Sequence, residues 1–376
     1  MNRGGANGGR VSARRPVLMM APGPLADEVI RLAAAAGCEP ERVPDLAAAR
    51  ELWSTAPLLL LDVEAAWSSA DACLPRRDRV VIVSAAADPD IWRCAVAVGA
   101  EHVAMLPDAE AWLVGALADA VECPAEPGRV LAVLGGRGGA GASVLAAAVA
   151  VAATVSGHES LLVDCDVLGG GLDLTLGAEE TGGLRWPGLA LGSGRVAASA
   201  LRAALPAPRV GNRCGLTVLS CDREGPGPDG VAVRTVCGAG RRAGQTVVCD
   251  VPRHPCEPGT AALESADLAV LVVPAEVRAC AAAATVAARV LRHGVALRLV
   301  VRGPAPGGLT PYDISRALEL PLLTAMRPQP GLAGALDRGV VPGRSRGPLA
   351  TAAREVVAAL NGCGRPLSRT ALGGAA

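Results

Sequence analysis

Short, uniformly apolar runs alternate along this chain with longer segments in which apolar residues recur at helical spacing. Runs such as Val80–Ser84 and Leu268–Val273 are apolar almost throughout, which is typical of parallel strands buried on both faces. The segments between the runs predict helices, because their apolar residues return every three to four positions. Strands that alternate with helices in this way predict an α/β fold built on parallel sheets.

The alternation falls into two series, separated at 123–128 by a segment whose proline and glycine content is typical of a linker. The first series occupies 16–122 and contains five strand-helix units, which predicts a small doubly wound domain. The second occupies 129–361 and predicts a larger parallel-sheet domain. Residues 1–15 and 362–376 lack the pattern and are predicted to be a disordered leader and tail. The predicted strands are Pro16–Met20, Glu41–Val43, Leu58–Leu61, Val80–Ser84 and Val103–Leu106, then Val130–Leu134, Ser160–Val163, Leu216–Ser220, Thr246–Cys249, Leu268–Val273 and Ala296–Val301.

The composition excludes several classes of protein. Of 376 residues, 51% are hydrophobic and 19% charged, so the chain as a whole is not intrinsically disordered. Aromatic residues make up 2%, too few for the stacking platforms of single-strand nucleic-acid binders. A net charge of zero argues against a generally basic nucleic-acid coat. The sequence contains no lysine, so every basic side chain is an arginine or a histidine.

The cysteines and the apolar runs indicate a compartment. Twelve cysteines are scattered singly along the chain, without a CxxC pair, and no secretory signal precedes the first series. No uncharged apolar run approaches the ~18–20 residues of a membrane span. These features predict a cytoplasmic protein with reduced thiols.

A glycine-rich loop follows the first strand of the second series. Val130–Leu134 runs into Gly135-Gly-Arg-Gly-Gly-Ala-Gly-Ala-Ser143, and an alanine-rich helix begins there. Strand, glycine loop and helix form the context of a phosphate-binding loop, because backbone N–H groups and the helix dipole converge on an anion. The alternative is a tight strand-to-helix turn of any α/β domain.

Carboxylates follow two further strands of the same series. Asp164 and Asp166 come directly after the predicted strand Ser160–Val163, and Asp250 follows Thr246–Cys249. The carboxyl ends of parallel strands face the crevice where nucleotides bind in such sheets. Aspartates at this edge hold Mg²⁺ directly or through water, whereas a single one is more simply a helix cap.

These motifs, in this order, resemble the MinD/ParA family of deviant-Walker P-loop ATPases. The family loop KGGxGKT or KGGxGKS matches 137–143, its DxD matches 164–166, the following leucine-rich stretch matches Leu172–Gly177, and its DxP matches 250–252. The resemblance implies a P-loop domain over 129–361 that binds ATP and Mg²⁺. It implies nucleotide contacts from Gly138, Gly139, Ala140, Gly141, Ala142, Ser143, Val144 and Arg302, metal contacts from Ser143, Asp166 and Asp250, and catalytic roles for Asp166 and Arg137.

The sequence departs from the family at both of its lysines. Arg137 occupies the position of the signature lysine, which in the family reaches the nucleotide of a dimer partner, and Ala142 occupies that of the lysine on the β- and γ-phosphates. Loss of one charge-assisted contact costs about 1.5–3 kcal/mol, and the loss weighs more on the transition state. We therefore expect a degenerate ATP site with weak or no hydrolysis. The alternative is an active ATPase in which Arg137 replaces the lysines. A further departure is Arg302, which stands where the family has a base-recognising asparagine.

The first series resembles a response-regulator receiver. Asp62 follows the third strand, where a receiver carries its phospho-accepting aspartate, and Ser84 ends the fourth. The acidic pair that binds Mg²⁺ in receivers is replaced by Ala21 and Pro22, and the late lysine by Leu106. The resemblance implies a pseudo-receiver that serves as an interaction domain. Asp62 is then a strand-end cap or, as the alternative, a phosphorylation site.

A receiver-like domain joined to a MinD-like domain resembles the CpaE/TadZ branch, which includes actinobacterial proteins termed septum-site-determining or CpaE-like. This resemblance implies a spatial regulator of a division septum, pilus or secretion apparatus, with protein partners and a nucleotide-dependent homodimer. It extends to peripheral association with the cytoplasmic face of the inner membrane. The helix predicted at Leu349–Leu360 either packs on its own domain or targets that membrane. A ParA-like DNA-partition protein is a second alternative, which the neutral charge does not favour.

Overall fold

The computed structural model describes residues 15–86, 89–121, 127–189, 196–211 and 213–363. The chain divides into two compact units, Met1–Cys123 and Pro124–Ala376. The predicted leader, tail and linker lie almost entirely outside the described residues, although the last helix continues to Gly362.

The N-terminal unit contains a five-stranded, fully parallel sheet in the order β2-β1-β3-β4-β5. Alternate residues of each strand point to opposite faces, so Leu59 and Leu61 join one apolar layer and Leu60 joins the other. This confirms the predicted doubly wound arrangement. Its elements are β1 Val17–Met19, α1 Pro24–Ala35, β2 Glu41–Arg42, α2 Leu46–Leu52, β3 Leu59–Leu61, α3 Val63–Asp71, β4 Val80–Ser84, α4 Pro89–Val98, β5 His102–Met105 and α5 Glu110–Val121.

The C-terminal unit contains a seven-stranded parallel sheet in the order β12-β11-β10-β6-β9-β7-β8. This confirms the predicted parallel-sheet domain. Its elements are β6 Arg129–Gly135, α6 Ala142–Val155, β7 Ser160–Asp164, α7 Leu172–Leu176, α8 Ala198–Ala204, β8 Leu216–Leu219, α9 Gly230–Arg242, β9 Thr246–Val251, α10 Glu257–Ser265, β10 Leu268–Pro274, α11 Val277–Leu291, β11 Leu297–Arg302, α12 Pro311–Leu318, β12 Leu322–Met326, α13 Leu332–Leu336 and α14 Pro348–Gly362.

Helix α6 is the buried centre of one apolar layer. Every residue from Leu145 to Thr154 is buried, and the small alanines let the helix lie close to β9 and α14. Helix α14 packs against it and buries Leu349, Val356 and Leu360. The apolar face of α14 is therefore occupied within its own domain, in agreement with the first of the two interpretations of this helix. Among the described residues, no helix has the length and apolar character needed to cross a bilayer.

The strand β12 was not predicted from the sequence. It lies at the edge of the sheet beside β11, and four of its five residues are partly or fully exposed. A half-covered edge strand lacks the continuous apolar run that identifies the central strands. The addition does not alter the predicted fold class.

Candidate functional site

Three chain segments meet at the carboxyl edge of the C-terminal sheet. Strand β9 lies between β6 and β7, and its Asp250 is in register with Val133 on one side and Asp164 on the other. The N–H of Cys165 donates to the carbonyl of Asp250 at 3.0 Å, which ties the two acidic segments together. The strand order therefore brings the glycine loop, Asp164, Asp166 and Asp250 to one place, as the sequence predicted.

Glycines at this edge have specific structural roles. Gly139 and Gly141 adopt φ angles of +70° and +93°, and Gly141 is the N-cap of α6 in the left-handed conformation. A Cβ atom on Gly136 would lie 2.7 Å from that of Ala283, so helix α11 requires glycine there. Ala140 is buried, while Ala142 and Val144 pack partly against the core. Helix α6 therefore begins directly at the end of the glycine loop, and its first-turn N–H groups lie beside that loop. Helix N-termini bind anions in this arrangement.

Ser143 and Asp250 form the centre of the candidate metal site. The Ser143 side chain lies next to the Asp250 carboxylate and acts to lower its pKa. Asp250 is only 5% exposed. Burial, with added repulsion from Asp164 and Asp166, raises the pKa of Asp250 to about 7 despite the opposing effect of Ser143. The buried Asp250 carboxylate and the partly exposed Ser143 hydroxyl provide the hard oxygen ligands that Mg²⁺ takes.

Asp164 and Asp166 have different environments. The buried Asp164 carboxylate accepts the N–H groups of Asp166, Leu172 and Cys221 at 3.1, 3.2 and 3.1 Å. Burial nevertheless raises its pKa above the ordinary value. Asp164 therefore shapes the loop, whereas the partly exposed Asp166 is presented toward the site and accepts only the Leu168 N–H, at 3.1 Å, among the described residues.

The described residues contain no group of three or more histidine, cysteine, aspartate or glutamate side chains placed to hold a metal by themselves. Mg²⁺ commonly binds through one or two carboxylates and completes its shell with water and substrate phosphates. Ser143, Asp166 and Asp250 offer oxygen atoms of this kind at one edge of the sheet.

Arg137 is engaged within its own chain. Its Nη2 donates to both carboxylate oxygens of Glu276, at 2.9 and 3.1 Å, and its Nη1 donates to the Gly138 carbonyl at 3.0 Å. Sequence reasoning missed Glu276, which stands directly before α11 and 139 positions away from Arg137. An acidic residue two positions after a buried strand was the local signal for it.

Arg302 lies against the glycine loop. It ends β11, which pairs with β10, and its side chain extends to Gly141. A Cβ atom on Gly141 would lie 3.2 Å from Nη1 and 3.9 Å from Cδ of Arg302. The Nε atom is buried without a hydrogen-bond partner in the described structure. The guanidinium thus faces the predicted phosphate site.

A charged cluster that the sequence did not reveal holds the segment after Asp166. Asp173 is fully buried and accepts hydrogen bonds from Arg185 and Arg223, at 3.2 and 2.8 Å, and from the Ser220 hydroxyl at 3.2 Å. Burial raises the pKa of Asp173, but the hydrogen bonds and charge of Arg223 outweigh it and hold that pKa below the ordinary value. The cluster fixes α7 and so the far end of the acidic loop.

The strand-end aspartate of the N-terminal unit is a structural cap. Asp62 Oδ1 accepts the N–H of Ala65 at 2.8 Å and so caps α3, while Oδ2 accepts the N–H of Ala21 at 2.7 Å. Both oxygens are engaged by backbone amides. Ser84 donates its hydroxyl proton to the carbonyl of Ala86 at 2.9 Å. The interpretation of Asp62 as a cap is confirmed.

Comparison with known proteins supports the same two parts. A family model described as "Rv3660c-like, CheY-like N-terminal domain" matches residues 19–129. The uncharacterized protein Rv3660c of Mycobacterium tuberculosis is 47% identical over 344 residues, which cover 89% of this chain and 95% of that protein.

Solved structures resemble the C-terminal part. A ParA family ATPase from Chlorobium tepidum has a TM-score of 0.53 at 16% identity, over 61% of this chain and 98% of that one. MinD in a MinC:MinD cell division complex from Aquifex aeolicus has a TM-score of 0.50 at 21% identity, over 64% and 98%. At these identities the likeness shows the fold, which is that of MinD and ParA.

Proposed function

Because this chain belongs to the family of the Mycobacterium tuberculosis protein Rv3660c, and joins a CheY-like domain to a domain of MinD/ParA fold, we propose that it is a nucleotide-binding spatial regulator. It positions or controls a division septum, pilus or secretion apparatus. ATP with Mg²⁺ binds at the glycine loop, and hydrolysis is weak or absent.

The observation that carries this proposal is the meeting of three segments at one edge of the sheet, where the glycine loop, Asp166 and the buried Asp250 lie together. In the proposal, the amides of Gly138, Gly139, Gly141 and Ser143 hold the phosphates, and Ala140, Ala142 and Val144 shape the loop around them. Ser143, Asp166 and Asp250 hold Mg²⁺, which when bound neutralises phosphate charge. Asp166 also orients the attacking water.

Slow turnover follows from the side chain at position 142. Ala142 offers a methyl group where the resembling family has an ammonium group, so the charge that develops on the transferred phosphoryl group lacks that partner. Arg137, which stands at the position of the family's other lysine, forms an ion pair with Glu276 within its own chain. In this proposal the binding of the nucleotide therefore regulates the protein, and its hydrolysis does not drive the activity.

Nucleotide controls assembly in this proposal. Two copies meet across their glycine loops, and Arg137 exchanges Glu276 for the partner's nucleotide. The pseudo-receiver over 16–122 contacts a protein of the regulated apparatus, just as MinD is found in a complex with MinC. The proposed site of action is the cytoplasm, with any contact to the inner membrane made through partners, since α14 is occupied within its own domain.

Calorimetric titration of the full chain with ATP and Mg²⁺ tests the nucleotide site, followed by sizing with and without nucleotide. We expect saturable binding and a larger species with ATP. Absence of binding by the folded protein contradicts the proposal.

Two further assays separate the alternatives. Steady phosphate release that disappears in Asp166→Ala would establish the active ATPase and reject the pseudo-enzyme. Salt-sensitive binding of nonspecific duplex DNA would favour the partition protein instead.

A further inference from the structure

We propose that Arg302 supplies the cationic phosphate contact that the glycine loop lacks at Ala142. The inference rests on the proposed function, in that the loop binds a nucleotide. It changes the assignment that the family resemblance gave to Arg302, from the base to the phosphates.

The sheet topology allows Arg302 to reach the loop. Strand β11 is separated from β6 by β10 alone, and Arg302 is in register with Pro274 at the carboxyl end of β10. A long side chain that starts there and turns toward β6 crosses the end of one strand. The 3.2 Å separation between Nη1 of Arg302 and the Cβ position of Gly141 places the guanidinium against the N-cap of α6.

The charge of Arg302 lacks a partner within the described structure. Its side chain makes no hydrogen bond or ion pair with another described residue, and its Nε atom is fully covered. A guanidinium cannot shed its proton, and partial burial of an unpaired charge is costly, so the site favours an anion. Arg137 differs in this respect, because Glu276 already neutralises it.

The geometry of guanidinium suits phosphate. Its planar set of N–H groups binds two phosphate oxygens at once, and such charge-assisted hydrogen bonds are stronger than neutral ones. The first-turn amides of α6 point to the same region. Gly141 and Ala142 also present almost no side chain there, so the loop leaves room for a cation that arrives from β11.

The test compares binding of ATP, inorganic tripolyphosphate and adenosine, each with Mg²⁺, to wild type, Arg302→Ala and Arg302→Lys. Arg298→Ala is the matched control, because it removes the same charge from an exposed position of the same strand. Circular dichroism and thermal unfolding establish that each variant is folded.

We expect Arg302→Ala to weaken ATP and tripolyphosphate alike by roughly ten- to a hundredfold, as loss of a charge-assisted contact does. Arg302→Lys should recover part of the loss, and Arg298→Ala should behave as wild type. Wild-type affinity in Arg302→Ala overturns the inference and leaves the proposed function intact. A loss for ATP and adenosine without a loss for tripolyphosphate overturns it in favour of a base contact. If wild type binds neither ATP nor tripolyphosphate, the proposed function fails as well.

Discussion

Asp62 and Asp250 hold equivalent positions in two parallel sheets, each at or next to the carboxyl end of a central strand, yet their surroundings differ. Both oxygens of Asp62 accept backbone N–H groups, and the residue caps a helix. Burial of Asp250, with repulsion from the nearby Asp164 and Asp166 carboxylates, raises its pKa to about 7. A carboxylate whose oxygens accept backbone N–H groups stabilises the fold, whereas a buried carboxylate close to other carboxylates is stabilised by a cation.

Arg137 and Arg302, two arginines beside the glycine loop, differ from each other in the same way. Arg137 is paired with Glu276, and Arg302 makes no pair among the described residues. Position in a motif pointed to Arg137 as the substitute for the missing lysines. Pairing points to Arg302 instead.

The largest effect is expected where a buried charge is fully paired. Asp173→Ala leaves Arg185 and Arg223 without their carboxylate, and removal of one partner from a buried ion pair costs about 3–5 kcal/mol. Because Arg223 is 41% exposed, we expect the low end of that range, about 3 kcal/mol, in denaturant unfolding of the C-terminal unit. The exposed Glu180→Ala is the control. Wild-type stability in Asp173→Ala would show that the cluster does not hold the loop.

The next effect tests the missing lysine. Ala142→Lys introduces the contact that the resembling family has, worth about 1.5–3 kcal/mol. We expect that gain in ATP affinity in the Arg302→Ala background and a smaller gain in wild type, because both cations serve one phosphate group. Equal gains in the two backgrounds, measured by calorimetry as a double-mutant cycle, would mean that the residues act independently.

A smaller effect is expected at Asp62, whose two carboxylate oxygens both accept backbone N–H groups. Asp62→Ala should lower the stability of the N-terminal unit by about 1 kcal/mol, because a helix cap is lost. Asp62→Asn should retain much of it, since asparagine also caps helices. Neither change should alter ATP affinity. Calorimetric scanning checks the stability, and covalent labelling of Asp62 by acetyl phosphate would contradict its structural role.

The smallest effect on stability is expected at the partly exposed ion pair between Arg137 and Glu276. Arg137 and Glu276 side chains are 34% and 37% exposed, so Glu276→Gln should change the unfolding free energy by less than about 1 kcal/mol. It should nevertheless increase the nucleotide-dependent dimer, because Arg137 is released. Arg137→Ala should reduce that dimer. Sizing of both variants with ATP and Mg²⁺ checks this, and an unchanged dimer in both would remove Arg137 from the interface.

The sequence predicted what depends on local pattern. Buried strands are continuous apolar runs, and strand ends collect at one edge, so Asp164, Asp166 and Asp250 could be placed beside the glycine loop from the sequence. Side-chain pairs could not be predicted from the sequence, since Glu276 is 139 residues from Arg137 and Arg223 is 50 residues from Asp173. The direction of Arg302 depends on sheet order, which a motif does not encode.

Hydrogen-deuterium exchange of the full chain with and without ATP and Mg²⁺ tests the contrast between the two sheet edges most directly. We expect slower exchange in peptides covering 135–145 and 164–172, where amides would receive phosphate or border the proposed metal site. We expect no change in peptides covering 17–24 and 59–66, in which Asp62 already accepts the amides of Ala21 and Ala65. Unchanged exchange at 135–145 at saturating ATP, or protection confined to the N-terminal peptides, would contradict this expectation.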